Sequence, residues 1–157
     1  RERARLFADP AEAEALIECL YATSDKYEFL LLAYVVMPDH LHVILVPAPR
    51  NTISQVMRFI KGTYARAYNE KHRLTGPVRQ ASFYDRIVRD DTGFEEFVGY
   101  VHHNPVRAGI VSAPEEYRFS SAYPGRETDS EAYFRGQAEC LPYGTRVTGS
   151  ADGAVSE

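Results

Sequence analysis

A nearly uncharged run from residue 30 to residue 46, LLLAYVVMPDHLHVILV, constrains the fold of this chain more than any other segment. Both halves of the run are rich in residues that favour strands, and the Met37-Pro38-Asp39 sequence between them has the composition of a turn. This pattern predicts a tight β-hairpin, with one strand over Phe29 to Val36 and a second over His40 to Pro47.

Two histidines open the second predicted strand, as His40-Leu41-His42. Successive side chains of a strand point to opposite faces, so both imidazoles project to one side, about 7 Å apart along the backbone, while Leu41 points into the core. This geometry is suited to binding a metal ion. A pair of surface histidines has the same spacing, so the motif alone leaves both interpretations open.

Helical spacing of apolar residues and turn signals predict the elements around the hairpin. Capping boxes begin at Thr52 and at Thr92. The predicted helices run from residue 10 to about 23, with acids on the outer face, from 52 to about 69 and from 92 to about 104, and a short strand is predicted over 83–88. Helices on one side of a mainly antiparallel sheet form an α+β sandwich.

The chain has 157 residues, 45% of them hydrophobic, which is enough for one domain with a substantial core. We place this domain at residues 1–125 and expect residues 126–157, rich in Gly, Ser, Thr and acids, to form a loosely packed tail. A ferredoxin-like arrangement needs a strand before the first helix, and Arg1 to Phe7 supply at most its end. We therefore expect this sequence to be a fragment that lacks part of that strand.

The net charge is −4, but its distribution along the chain is uneven. Six Lys or Arg residues lie between residues 50 and 73 with the single acid Glu70, which predicts a local surface able to bind phosphates, although a solvated helix face has the same composition. No apolar stretch approaches the roughly 18 residues that span a bilayer, and Cys19 and Cys140 form no CxxC pair. We expect a soluble, cytoplasmic protein with no membrane partner.

A tyrosine and an asparagine lie one turn apart on the third predicted helix. Tyr100 and Asn104 fall on the shoulder of its apolar stripe, so their side chains can point to a shared site. The Asn104 oxygen and the two imidazoles of the hairpin would form a mixed nitrogen and oxygen ligand set suited to Mg²⁺ or Mn²⁺ with a bound phosphate. His102 and His103 face other directions, and we interpret them as polar helix surface or DNA contacts.

A metal ion and a tyrosine nucleophile together are the catalytic groups of enzymes that cut one strand of DNA. A free phenol has a pKa of about 10 and attacks slowly at neutral pH, whereas a divalent cation polarises the scissile phosphate and offsets the developing charge. The product is a phosphotyrosine ester, which keeps the phosphoryl bond energy, so a freed 3′-hydroxyl can join a strand without ATP. Tyr100 is one of eleven tyrosines, and only its combination with the histidines makes it the candidate nucleophile.

Three blocks in sequence order, residues 34–42, 83–86 and 100–111, resemble the signature blocks of the single-tyrosine HUH transposases, and within them the REP-associated tyrosine transposases. The resemblance covers roughly residues 5–123 and implies a ferredoxin-like HUH nuclease sandwich. It implies that Tyr100 is the nucleophile and that His40, His42 and Asn104 are metal ligands. It also implies a Mg²⁺- or Mn²⁺-dependent, single-strand-specific endonuclease and strand transferase that acts near imperfect DNA hairpins and leaves a 5′-phosphotyrosine.

Single-stranded or hairpin DNA is the partner that this resemblance implies. DNA contacts are predicted for five basic residues: Arg58, Lys61, Arg66, Arg86 and Arg107. The sequence leaves open which DNA sequence is recognised and whether the protein is a monomer or a homodimer.

Other functions compete with this interpretation. A replication initiator or relaxase also nicks DNA with paired histidines and a tyrosine, although initiators usually carry a lysine where Asn104 lies, and relaxases usually place the tyrosine before the histidines. A domesticated DNA-hairpin-binding protein that no longer cuts would keep the same residues. A histidine-triad nucleotide hydrolase is excluded, because Ile44 stands where that class has its third histidine.

Overall fold

The predicted hairpin forms the first two strands of the sheet. The computed structural model describes residues 5–78, 82–86 and 93–138, with the backbone alone for 82–86 and 136–138. Strand β1 is Leu30–Val36 and strand β2 is His40–Val46, and the two pair antiparallel across a two-residue turn at Pro38 and Asp39. Both predicted strands are confirmed, each shorter by one residue at its outer end.

A third strand, β3 (Ser82–Arg86), pairs with β2 in parallel, so the sheet has the order β1-β2-β3. The prediction of a mainly antiparallel sheet is wrong for this pair. A 20-residue helix separates β2 from β3, and a connection of this length allows neighbouring strands to run parallel. The predicted strand over 83–88 overlaps β3, and residues 87 and 88 lie outside the described residues.

Two long helices pack against each other, and the first of them packs against β1. Helix α1 is Pro10–Tyr27, capped by the Asp9 carboxylate, which accepts from the Ala11 amide at 2.9 Å. Helix α2 is Ile53–His72 and begins with the capping box that the sequence predicts at Thr52. Both helices continue beyond their predicted ends and stop where the next residue takes a left-handed conformation.

Helix α3 (Phe94–His102) carries Tyr100 and is followed by the four-residue helix α4 (Asn104–Arg107). The apolar stripe predicted for α3 is confirmed, because Phe94 and Val101 are buried and the two residues between them on the stripe are partly buried. The N-cap is Gly93, so the helix begins one residue later than a capping box at Thr92 requires, and Thr92 lies outside the described residues. Pro105 lies in the first turn of α4, where a missing N–H costs nothing.

The segment of residues 117–133, here called the edge segment, covers the edge of β1 that faces away from β2. The Val36 amide donates to the Phe119 carbonyl at 2.8 Å, and the Leu31 amide donates to the Asp129 carboxylate at 2.8 Å. Tyr133, in helix α5 (Ser130–Ala138), is buried. The other side chains of residues 126–135 are partly or fully exposed. The domain boundary at residue 125 and the loosely packed tail stay predictions, and residues 139–157 lie outside the described residues.

Both faces of the sheet are covered, because six consecutive residues of β1, 31–36, are all buried although their side chains alternate between faces. Helices α1, α3 and α5 all contact β1. The expectation that the helices lie on one side of the sheet is therefore wrong, whereas the α+β class is confirmed. None of the described helices has the length and hydropathy needed to cross a bilayer.

The described part of the N-terminus is not a strand. Leu6–Ala8 form a short 3₁₀ turn, in which the Phe7 amide donates to the Pro38 carbonyl at 2.9 Å. The Phe7 ring is buried and meets the Tyr64 ring edge-on, with the centroids 5.7 Å apart. This turn closes α1 against the hairpin.

Candidate active site

The two imidazoles of the hairpin meet at the start of β2. Nε2 of His40 lies 2.9 Å from Nε2 of His42, and the ring centroids are 4.6 Å apart. Leu41 between them is fully buried, as the alternation predicts. Residues two apart on a strand are separated by about 7 Å, so these rings converge on a common point.

Asp39 orients the first of these rings. Its Oδ1 lies 2.7 Å from Nδ1 of His40. A neutral His40 that donates its Nδ1 proton to this carboxylate keeps a lone pair on Nε2, which is the tautomer that binds a metal through Nε2. The sequence analysis assigned Asp39 only to the turn and missed this role, although a carboxylate directly before the histidine pair was an available signal.

The residues present fit a divalent cation. Two ligands about 2.1 Å from one ion, at adjacent corners of an octahedron, are about 3 Å apart. This edge length agrees with the 2.9 Å between the two Nε2 atoms. Across the side chains that the structure describes, no group of three or more His, Cys, Asp or Glu residues could hold a metal ion, so further ligands would be a carboxamide, water or phosphate oxygens.

Tyr100 lies beside the histidine pair. The rings of His42 and Tyr100 stand at 88° to each other, with their centroids 6.1 Å apart. Tyr100 is 37% exposed, whereas the next residue, Val101, is buried against the sheet. The structure thus brings together three of the four residues that the sequence analysis proposed for one site, and the tyrosine among them is open to solvent.

Arg107 of α4 packs on the Tyr100 ring, with its guanidinium carbon 4.0 Å from the ring centroid. Its Nη2 also donates to the Tyr100 carbonyl at 2.7 Å. These two contacts place a permanent positive charge beside the phenol, on the side chain of a residue that the sequence analysis assigned to DNA binding.

Asn104 lies one turn after Tyr100, as predicted, but its amide group turns toward α3. Nδ2 donates to the Tyr100 carbonyl at 2.9 Å and to the Val101 carbonyl at 3.3 Å. Both partners are acceptors, so the nitrogen end of the amide faces them and Oδ1 points away from these carbonyls. Asn104 therefore caps the end of α3, and its role as a third metal ligand stays a prediction.

His102 does not lie on the helix surface. It is half-buried, with Nε2 2.8 Å from Oγ of Ser121, and burial, together with the neighbouring charge of His103, lowers the pKa of His102. His103 is exposed, and its Nδ1 donates to the Gly99 carbonyl at 2.9 Å. The interpretation as polar helix surface is thus wrong for His102 and agrees with the position of His103.

The basic residues predicted to contact DNA lie in two places. Arg107 is at the tyrosine, whereas Arg58 and Lys61 are exposed on α2 and line a cleft of about 490 Å³ between this helix and residues 77–78. Arg66 is exposed on the same helix. The side chain of Arg86 lies outside the described part of the chain, and contact with DNA stays a prediction for all five residues.

Comparison with known families identifies the class of protein that this fold and site represent. A family described as "Transposase IS200 like" matches residues 1–102, which is more than half of the chain. The chain therefore belongs to the IS200-like transposase family, as the three sequence blocks indicate.

The particular relatives within this class are REP-associated tyrosine transposases. A Haemophilus influenzae protein whose name places it among them is 27% identical over 123 residues, which cover 71% of this chain and 68% of that protein. The REP-associated tyrosine transposase of Escherichia coli K12 is 29% identical over 94 residues, which cover 59% of this chain and 54% of that protein.

A solved structure has a similar fold. It is a REP-associated tyrosine transposase bound to a REP hairpin, and it superposes with a TM-score of 0.54 at 19% sequence identity over 98% of this chain and 85% of that chain. At this identity the similarity concerns the fold.

Proposed function

We propose that this protein is a metal-dependent endonuclease and strand transferase that cuts single-stranded DNA at hairpins with Tyr100 as its nucleophile. The observation that carries the proposal is the meeting of Tyr100 with the histidine pair, at 6.1 Å between the Tyr100 and His42 ring centroids. Membership of a transposase family supports it and favours it over the replication-initiator and relaxase alternatives.

In the proposed reaction the Tyr100 phenolic oxygen attacks the phosphorus of one phosphodiester. A bond forms between that oxygen and phosphorus, the bond from phosphorus to the 3′ oxygen breaks, and the freed 3′ oxygen takes up a proton. The phenolic proton leaves to solvent, to which Tyr100 is 37% exposed. The 5′ end of the cut strand stays on the protein as a phosphotyrosine ester, and attack by a 3′-hydroxyl on this ester joins a strand and frees the tyrosine.

His40, His42 and Asn104 would hold a Mg²⁺ or Mn²⁺ ion, which when bound withdraws charge from the scissile phosphate. Asp39 keeps the Nε2 lone pair of His40 available by accepting the proton on Nδ1. Arg107 fixes the Tyr100 ring and places its charge where a phosphodiester must arrive.

Hairpin DNA is the substrate class that the comparisons favour, because the solved structure with a similar fold is bound to a REP hairpin. We assign Arg58, Lys61 and Arg66 to the sugar-phosphate backbone, since exposed cations on one helix bind phosphates without reading sequence. We also propose that the complete architecture is a ferredoxin-like HUH nuclease sandwich.

The proposal is tested with a single-stranded hairpin oligonucleotide labelled at its 3′ end. The fragment that would remain bound to the protein contains this end and therefore the label. Incubation with the protein and Mn²⁺ is expected to give a labelled band that migrates with the protein on a denaturing gel. Tyr100→Phe should abolish the band. The matched control is Tyr123→Phe, because Tyr123 is 39% exposed and lies outside the proposed site, and it should leave the band unchanged.

Two results would contradict the proposal. Hairpin binding by the wild-type protein without an adduct in Mn²⁺ or Mg²⁺ would support the non-cutting hairpin-binding protein instead. An adduct that persists in Tyr100→Phe would assign the nucleophile to another residue.

A further inference from the structure

A hydrogen bond joins the helix that carries Tyr100 to the edge segment. Nε2 of His102, the last residue of α3, lies 2.8 Å from Oγ of Ser121. Ser121 lies beyond residue 102, where the match to the transposase family ends. We infer that this pair, the His102–Ser121 latch, positions Tyr100 against the histidine pair, an inference that rests on the function proposed above.

Ser121 is a fixed point, because it is bonded to the backbone of β1 in both directions. Its amide donates to the Tyr34 carbonyl at 2.9 Å, and its Oγ accepts from the Tyr34 amide at 2.9 Å. Tyr34 itself is fully buried, and its hydroxyl lies 3.1 Å from that of Tyr21 on α1. Ser121 itself lies in a turn, and its hydrogen bonds to Tyr34 tie this turn to β1, so the latch connects α3 to the sheet.

The sheet register places this fixed point next to the candidate metal ligands. Tyr34 pairs with Val43, and the neighbouring Val35 pairs with His42. The path from Tyr100 to His42 through His102, Ser121 and β1 thus consists of helix backbone, directional hydrogen bonds and strand pairing. Such a path sets the separation between the nucleophile and the imidazoles.

The position of His102 on α3 suits it to this task. At about 100° per residue, side chains two residues apart lie about 200° apart around a helix, so Tyr100 and His102 are on nearly opposite sides. The buried residues of α3 hold it by apolar contact, which has no directional preference: Val101 is buried, and Phe94 packs on Tyr133 of α5. A rotation of α3 that carries Tyr100 away from His42 would move His102 off Ser121, so the hydrogen bond opposes that rotation.

The test measures the single-turnover rate of adduct formation and the affinity for the hairpin in His102→Ala, Ser121→Ala and the double variant. Each single change is expected to slow adduct formation by about 10- to 100-fold, since a displacement of about 1 Å at a reacting group costs that much, with the hairpin Kd within about twofold of wild type. The double variant should be no slower than the slower single variant, because both changes remove the same bond.

Two variants serve as matched controls. His102→Gln places an amide near the position of the imidazole Nε2 and can rebuild the bond to Ser121, so it is expected to recover most of the rate. Ser112→Ala removes an exposed hydroxyl from the chain between α4 and the edge segment, and it should behave as wild type.

Amide hydrogen exchange without DNA or metal gives a readout that does not depend on cutting. Exchange in α3 is expected to be faster in both alanine variants, with β2 unchanged. If the wild-type protein forms no adduct, the proposed function fails. The amide exchange rates of α3 in the two alanine variants then test whether the His102–Ser121 latch holds this helix.

The inference is overturned if His102→Ala and Ser121→Ala form the adduct at the wild-type rate and also show wild-type amide exchange in α3. It is also overturned if the rate losses of the two single variants add up in the double variant. If His102→Ala does not fold, Ser121→Ala decides by the same criteria. Collapse of both variants would show that the pair serves stability alone, and this would also overturn the inference.

Discussion

The guanidinium of Arg107 covers one face of the Tyr100 ring, with its central carbon 4.0 Å from the ring centroid. The His42 ring meets the same tyrosine at a right angle, so the phenol is held from two directions. A side chain held in this way loses little freedom when a substrate binds, which favours attack from one defined position.

Replacement of Arg107 by alanine is expected to slow adduct formation by about 10- to 100-fold, because it removes both the stacking on Tyr100 and the charge that meets the phosphodiester. The rate of adduct formation in Arg107→Lys should lie between those of wild type and Arg107→Ala, since an ammonium keeps the charge but lacks the planar guanidinium group. Single-turnover kinetics with the labelled hairpin measure the effect. Arg118→Ala is the control, because Arg118 lies over Phe119 instead, and equal losses in Arg107→Ala and Arg118→Ala would contradict the prediction.

His40→Ala and His42→Ala are each expected to reduce adduct formation by at least about 100-fold while the unfolding free energy changes by less than about 1 kcal/mol. The reason is that both side chains are only partly buried at the start of β2, and the contacts described above join them to each other, to Asp39 and to Tyr100. Mn²⁺ binding measured by calorimetry should be lost in parallel. A loss of several kcal/mol of unfolding free energy with unchanged Mn²⁺ binding by the folded variant would instead assign the histidines a packing role.

Asp39→Asn should lower the affinity for Mn²⁺ by about 10- to 100-fold, because an amide holds the Nδ1 proton of His40 less firmly than a carboxylate and so no longer fixes the metal-binding tautomer. Saturating Mn²⁺ should restore most of the rate of adduct formation, since the imidazoles themselves remain. A Mn²⁺ titration of the rate measures both effects. Asp25→Asn, at an exposed position of α1, is the control, and an Asp39→Asn titration that overlays the wild-type curve would refute this role.

The parts of the fold that depend on neighbouring residues were predictable from the sequence. The hairpin follows from strand-forming residues around a Pro38-Asp39 turn, and the start of α2 follows from the Thr52 capping box. The position of the histidine pair and of Tyr100 was predictable in the same way. Strand alternation places both imidazoles on one face of β2, and helical spacing places Tyr100 beside the apolar stripe of α3. Tyr100 and His42 meet because both of these local patterns are regular.

The features that the sequence did not indicate depend on residues far apart in the chain. The parallel pairing of β3 has no local pattern, and the bond between the Tyr34 amide and Ser121 joins positions with no shared periodicity. The burial of Glu12 is a similar case, because a carboxylate on an amphipathic helix is normally exposed. Its partners come from the end of another helix, and no pattern in α1 indicates them.

Glu12 is 3% exposed and is bonded to three side chains from α2. Its carboxylate accepts from the Tyr64 hydroxyl at 3.0 Å and the Lys71 ammonium at 2.7 Å, and it lies 2.8 Å from Nε2 of His72. Burial raises the pKa of Glu12, but the hydrogen bonds from Lys71, His72 and Tyr64 together outweigh burial, so the net pKa lies below its ordinary value. The cluster therefore ties the start of α1 to the end of α2.

The lowered pKa of Glu12 predicts an acid-dependent loss of stability. A carboxyl group whose pKa is lower in the folded state contributes its full stabilisation above the unfolded value of about 4.3, and this contribution disappears as the pH falls through the folded pKa. Glu12→Gln should reduce the unfolding free energy by about 1–3 kcal/mol at pH 7, because a neutral amide cannot form the ion pair with Lys71, and the stability of the variant should fall less than that of wild type between pH 5 and pH 3. Urea unfolding at the two pH values measures both effects. Glu18→Gln, at an exposed position of the same helix, should change the free energy by less than about 0.5 kcal/mol, and parallel acid losses in wild type and Glu12→Gln would contradict the role assigned to the buried carboxylate.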